Sequence, residues 1–184
     1  MIDQFRRMVE PIQRRVMMAI GRAVLNAVYD GSKAQLVQAS MLGDEVRDKM
    51  ERMAEYGFTS NPKPGAQGVA VFVGGERGHG VMIATCDYTC RLPNLASGEV
   101  ALYTDEGDKI VLKRGKLIEI TTDTLVVKAG TKVRFETPLV EGTGDIIDNA
   151  GSNARTMKGM RDRYNVHTHP GDSGGTTGTP NQGM

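Results

Sequence analysis

The sequence predicts a mainly β protein: a small closed barrel followed by short strands that need other copies of the chain to complete their core. Three observations point there. Glycine is abundant, 23 of 184 residues, while tryptophan is absent and aromatic residues make up 5%, a balance that favours many tight turns over a large interior. Short apolar runs, several with period two, recur between turn residues. From about residue 106 onward these runs are too short to close a core within one chain.

Residues 1–20 form a separate N-terminal segment. Ile2, Phe5, Val9, Ile12, Val16, Ala19 and Ala23 keep the alternating three-and-four spacing of a helical seam. Pro11 lacks an amide hydrogen, so a short helix is expected before it and either a second helix or the first strand after it. The arginines lie largely off the seam. The stripe is therefore either a packing face on a solvated helix or an end that docks on a neighbouring protein or on copies of itself.

Residues 21–105 read as the barrel. Val24 and Val28 begin a β pattern, Asp30-Gly31 interrupts it, and Leu36 to Leu42 resume it. A charged run from Gly43 through Met53 is expected to be helical. Asn61-Pro62-Lys63-Pro64-Gly65 is a turn-rich break, and Gly68–Val73 and Gly80–Thr85 read as buried strands around the bend at Gly74-Gly75. Short strands with one interposed helix suggest a closed barrel of the OB type, which leaves no exposed sheet edge.

Residues 106–163 change texture. Ile110 and Leu112, Ile118 and Ile120, and Val133 and Phe135 each keep period two with polar residues between them. Gly107, Gly115, Gly130, Gly142 and Gly144 recur between the pieces. Winding three copies about a common axis would satisfy the open edges and supply the missing interior. At about nine residues per strand, residues 106 to 150 give about five strands per chain; about fifteen strands stacked at ~4.8 Å make a shaft of roughly 70 Å.

Charge and composition exclude several functions. Lys+Arg 23 against Asp+Glu 22 gives +1, and 39% hydrophobic with 24% charged residues is ordinary for a folded soluble chain. No global field attracts nucleic acid or an anionic membrane. No apolar run is long enough to span a bilayer, and Arg6, Arg7, Arg14 and Arg15 interrupt what would be a signal peptide, so neither secretion by that route nor anchoring is expected. Cys86 and Cys90 alone are neither a disulfide framework nor a four-ligand zinc site, and read as two reduced, partly buried thiols.

Residues 164–184 hold almost no core-forming residue after Pro170 and would be read alone as a disordered tail. Two motifs stand out. Gly171-Asp172-Ser173-Gly174-Gly175 coincides with the peptide around a chymotrypsin-like nucleophile. His167 and His169 are too close in sequence for that family's order, and His79 has no local motif, so turn chemistry is the preferred explanation. His167-Thr168-His169 says more, because side chains two apart in an extended segment point to one side. Three copies on an axis would deliver six imidazole nitrogens. Iron(II), cobalt or nickel tolerates such a set better than zinc, availability favours iron, and a fully ligated ion would be structural.

The stretch from Val166 to Gly178 resembles the tip of central spike proteins from contractile-tailed phages of the P2 and Mu types, the family of baseplate assembly protein V. Gly43-Asp44-Glu45-Val46-Arg47-Asp48, Tyr56-Gly57-Phe58-Thr59-Ser60, Pro64-Gly65-Ala66, Phe72-Val73-Gly74-Gly75-Glu76-Arg77 and Thr137-Pro138-Leu139-Val140 carry the resemblance upstream. It implies a homotrimer with an OB-fold domain, a triple-stranded β-helix and an apex in which His167 and His169 hold one iron ion per trimer. It implies a non-enzymatic virion protein of the tail tip, assembled in the host cytoplasm. The barrel end would attach to hub and baseplate proteins, and the apex would pierce the host outer membrane when the sheath contracts. Cys86-Asp87-Tyr88-Thr89-Cys90 departs from the family pattern.

Two other functions compete with this one. A tail-associated enzyme degrading the cell envelope would need two carboxylates in a cleft, and the acids here are scattered. An OB module for single-stranded nucleic acid would stack bases on Tyr29, Phe72 and Tyr88, without a basic stripe.

Overall fold

The computed structural model describes residues 2–184. Its chain divides into two units, one ending at Val126 and the other Val127–Met184. The first contains a helix, a barrel and a three-stranded sheet. Among the described residues no helix is long and apolar enough to cross a membrane.

Five strands close the barrel: β1 (Ile20–Tyr29), β2 (Leu36–Met41), β3 (Val46–Arg52), β4 (Gln67–Phe72) and β5 (Gly80–Cys86). Their order is β1-β2-β3-β5-β4, with β4 returning to β1. All pairs are antiparallel except β3 with β5, which run parallel through Glu51↔Val81 and Arg52↔Met82. This is the OB-like arrangement expected from the strand spacing. β1 serves two neighbours, pairing with β4 through Ile20–Val24 and with β2 from Ala23 onward. A bulge at Asn26 bends it between them.

Period two decides what lies inside. Ala23 and Leu25 of β1, Val37 and Ala39 of β2, Ala70 and Phe72 of β4, Met50 of β3 and Met82 of β5 form the core. Small side chains face large ones, so Phe72, Leu25, Met82 and Val37 are fully enclosed in a narrow interior. Gly68 belongs to that packing: a Cβ there would meet the Met82 sulfur and lie 2.8 Å from the Ala84 carbonyl oxygen.

The charged run after Gly43 is β3, not a helix. Val46, Met50 and Met53 imitate helical spacing, but β3 is held on both sides by β2 and β5. Lys49 adopts φ 56° beside a register shift, and Met50 alone turns inward. Its charges are solvated or paired. Arg52, for example, donates to the Gln35 side chain (2.6 Å), the Ser60 carbonyl and hydroxyl, and Thr85 Oγ1.

The N-terminal segment also differs from expectation. α1 (Ile2–Met17) continues through Pro11 as one helix. Pro11, with Glu10, Arg14, Arg15 and Met18, lines a cavity against the turn Val73–Glu76. Gly75 (φ 72°) passes so close beneath Arg15 that a Cβ would collide with the Arg15 carbonyl.

Beyond the barrel, β6 (Val100–Tyr103), β7 (Lys109–Lys113) and β8 (Leu117–Thr121) form a separate antiparallel sheet. It begins before residue 106, inside the stretch assigned to the barrel. Between residues 106 and 150 one chain forms two strands, β7 and β8, rather than about five. In the second unit, residues 127–156 have no regular element beyond an isolated bridge, Ile147↔Thr156. A helix the sequence reading did not anticipate, α2 (Met157–Val166), follows. Its N-terminus is capped by Thr156, whose hydroxyl accepts from the Gly159 amide (3.1 Å), and Arg163 lies in the last turn.

Candidate functional site

Two features are the candidates for a functional site, a sheet face and a pair of histidines. The register places Val100 beside Leu112 and Leu112 beside Ile118; Leu102 pairs with Ile110 and Ile110 with Ile120. All six side chains share one face, because residues paired across a sheet point the same way. They stay between 38% and 63% exposed. On the opposite face Val111 is buried, and Lys113 pairs with Glu119 (2.7 Å). Glu99 anchors the sheet at one end, accepting from the Ala96 amide (3.0 Å) and the Arg114 amide (3.1 Å). The apolar face is thus left open.

His167 caps the C-terminus of α2 in extended conformation, φ −73° and ψ 149°. Its Nδ1 lies 2.6 Å from the Tyr164 carbonyl oxygen. A carbonyl can only accept, so Nδ1 carries the proton and Nε2 is the ring's free lone pair. The Tyr164 ring packs 5.1 Å from His167, and His169 stands nearly perpendicular to His167 at 5.0 Å between centroids.

His169 is positioned by its backbone. Its amide donates to Thr177 Oγ1 (2.8 Å) and its carbonyl accepts from the Thr177 amide (2.9 Å). The Pro170↔Thr176 bridge and the Gly171 amide donating to Gly175 (2.8 Å) extend this into a tight hairpin. Gly174, at φ 79°, sits in its turn. The tail is therefore folded locally, and Gly171-Asp172-Ser173-Gly174-Gly175 is that hairpin's tip.

The donor set bears on a metal. Among the described residues, no three His, Cys, Asp or Glu side chains of one chain converge as metal ligands. One chain offers two imidazoles, one of them oriented by a hydrogen bond to its other nitrogen, as structural metal ligands commonly are. Such a pair fits a shared ion only if other chains complete it.

The other sequence candidates resolve differently. Phe72 is fully buried and cannot stack a base, while Tyr29 and Tyr88 are exposed. Cys86 and Cys90 are both free and half-buried. Asp87 between them accepts from the Thr89 amide and hydroxyl. Tyr164 and Thr177 escaped the sequence reading; their signal was position alone, one three residues before the first histidine and the other eight after the second. Val100 and Leu102 escaped it because their alternation starts before the texture changes.

A family profile described as Bacteriophage Mu Gp45, N-terminal, matches residues 22–89, the span of the barrel. The chain is also 34% identical over 184 aligned positions to the "Baseplate puncturing device gp45" of Escherichia phage Mu, covering 94% of this chain and 93% of that protein. The chain belongs to the Mu gp45 family. Another relative, the "Mu-like prophage FluMu protein gp45" of Haemophilus influenzae, is 33% identical over 147 positions, covering 76% of this chain and 80% of that one. Membership in the Mu gp45 family bears out the resemblance read from the barrel and tip motifs.

Proposed function

We propose that this gp45-family chain is a homotrimeric central spike of a phage tail baseplate, located at the tail tip, that punctures the host outer membrane when the sheath contracts. The observation that carries it is the open apolar face of β6–β8. Fully burying a Val, Leu or Ile stabilises by about 1.5–3 kcal/mol; these side chains are half covered already, so each still has about 1 kcal/mol to gain. A face of this kind wants a matching surface, and two further copies supply it about a threefold axis. The period-two segments at Leu125, Val127, Val133 and Phe135, outside any regular element, are 52–71% exposed. They are the material from which a triple-stranded β-helix would continue. Load along its axis would be shared by many inter-chain hydrogen bonds at once.

The narrow end needs another source of cohesion. His167 and His169 of three chains would together offer six imidazole nitrogens to one structural ion, iron by availability. When bound, that ion supplies cohesion where side chains are too few to form a core; structural zinc sites contribute ~10 kcal/mol or more. This chain's own part is to present Nε2 of His167, through the Tyr164 carbonyl, and to hold His169 by the Thr177 clamp. The role is mechanical rather than enzymatic, in keeping with the name of the Mu relative. The barrel and N-terminal segment would join hub and baseplate proteins.

Elemental analysis of the purified full chain tests the apex. One iron per three chains is expected, and the double variant His167→Ala/His169→Ala should lose it while remaining trimeric. A metal-free wild-type trimer would remove the apex from the proposal.

A further inference from the structure

α1 is attached to the barrel by the face that does not carry its apolar seam. Glu10, Pro11, Arg14 and Arg15 look onto the turn at Val73–Glu76, while Phe5, Ile12 and Val16 are 63–69% exposed on the far side. The seam Ile2, Phe5, Val9, Ile12, Val16 steps by three, four, three and four residues, 14 residues in four steps. That mean step of 3.5 matches a supercoiled partner helix with the same repeat, whereas a helix lying on a globular surface follows 3.6 and a wider stripe.

Two further details select the occupant. Val9, Ile12 and Val16 put β-branched side chains at both kinds of core position, which favours three strands over two. In a parallel bundle a residue on one rim of the seam faces the residue five positions later on a neighbour's opposite rim, so Met8 would meet Gln13, an uncharged pair. Arg7 and Arg14 fall opposite the seam, pointing away from the axis, and Glu10 lies four residues from both Arg6 and Arg14. No arginine of residues 7–14 would be brought against an arginine of another copy.

We infer that α1 forms a parallel three-stranded coiled coil with α1 of two further copies of this chain, a second clasp on the N-terminal side of the barrel. It rests on the trimer proposed above. Sixteen helical residues are near the lower limit for an isolated helix, so the clasp depends on the high effective concentration of helices already joined through the rest of the trimer.

Amide hydrogen exchange on the full-length protein, with its mass in solution measured in parallel, tests this. Amides of residues 5–16 should be protected in the wild type. Ile12→Asp/Val16→Asp should lower that protection at least tenfold while the mass remains that of a trimer, and the milder Val9→Asn should lower it less. Three outcomes would overturn the coiled coil alone: free exchange of these amides in an intact trimer, equal protection in the double variant, or protection gained only on adding baseplate hub protein. A monomeric wild type would overturn it together with the proposed function.

Discussion

Arg77 is central to the barrel though it contributes no apolar surface to it. Its guanidinium lies 3.9 Å over the Phe72 ring, pairs with Glu45 and donates to the Met18 carbonyl (3.3 Å), so one side chain joins the core aromatic, the β2–β3 connection and the end of α1. The hydrogen bond from Arg77, helped by Arg47, holds the Glu45 carboxyl below the usual carboxylate range. A group depressed in the folded state stabilises above its unfolded pKa, and that contribution is lost as pH falls through its folded value. Thermal unfolding between pH 7 and pH 3 should show a declining midpoint, and Glu45→Gln should flatten the decline. Asp105, lowered by Lys63, and Glu119, lowered by Lys113, act in the same direction, so some slope should persist; a variant as steep as the wild type would show that the pair does not matter. In the core, Gly68→Ala should cost about 1–3 kcal/mol by overpacking, measured by chemical denaturation.

At the scale of elements, legibility followed how local the cause was. β1, β2, β4 and β5 could be read because alternation and turn residues lie within each segment. β3 could not, since Val46, Met50 and Met53 share a helical step and only pairing with β2 and β5 decides otherwise. Pro11 reads as a break because its missing amide is visible in the sequence, whereas the close approach of Arg15 to Gly75 at the end of α1 is not. α2 is hard to read although Thr156 is a good cap, because its apolar step Met157, Met160, Tyr164 is short, interrupted by Gly159 and surrounded by charged residues. The histidines were found by their spacing, but the hairpin that fixes His169 depends on Thr177, eight residues on. That clamp makes a prediction for this element: Thr177→Val removes the hydroxyl that accepts from the His169 amide and should cost about 1 kcal/mol locally. In the proposed trimer it should be read as faster loss of the apex iron to a chelator with the assembly otherwise unchanged, and unchanged release would mean that His169 is held by something else. On the sheet, Leu112→Asp or Ile118→Asp should abolish assembly, as followed by gel filtration, while leaving the barrel's circular dichroism intact.

For the whole molecule, the same shortage appears at each end of the chain's design. The barrel closes a small interior of its own from eight buried residues, whereas α1, the open face of the β6–β8 sheet and the irregular segments after it leave large apolar side chains in water. A chain with +1 net charge has little electrostatic self-repulsion to oppose its association with copies of itself. In the proposed trimer association would complete the fold, and truncation before Asp105 should leave a barrel with weak or no trimerisation. The most direct measurement is the mass of the full-length chain in dilute solution by light scattering. The trimer account predicts three times the 19.9 kDa chain mass; a well-folded monomer would contradict it.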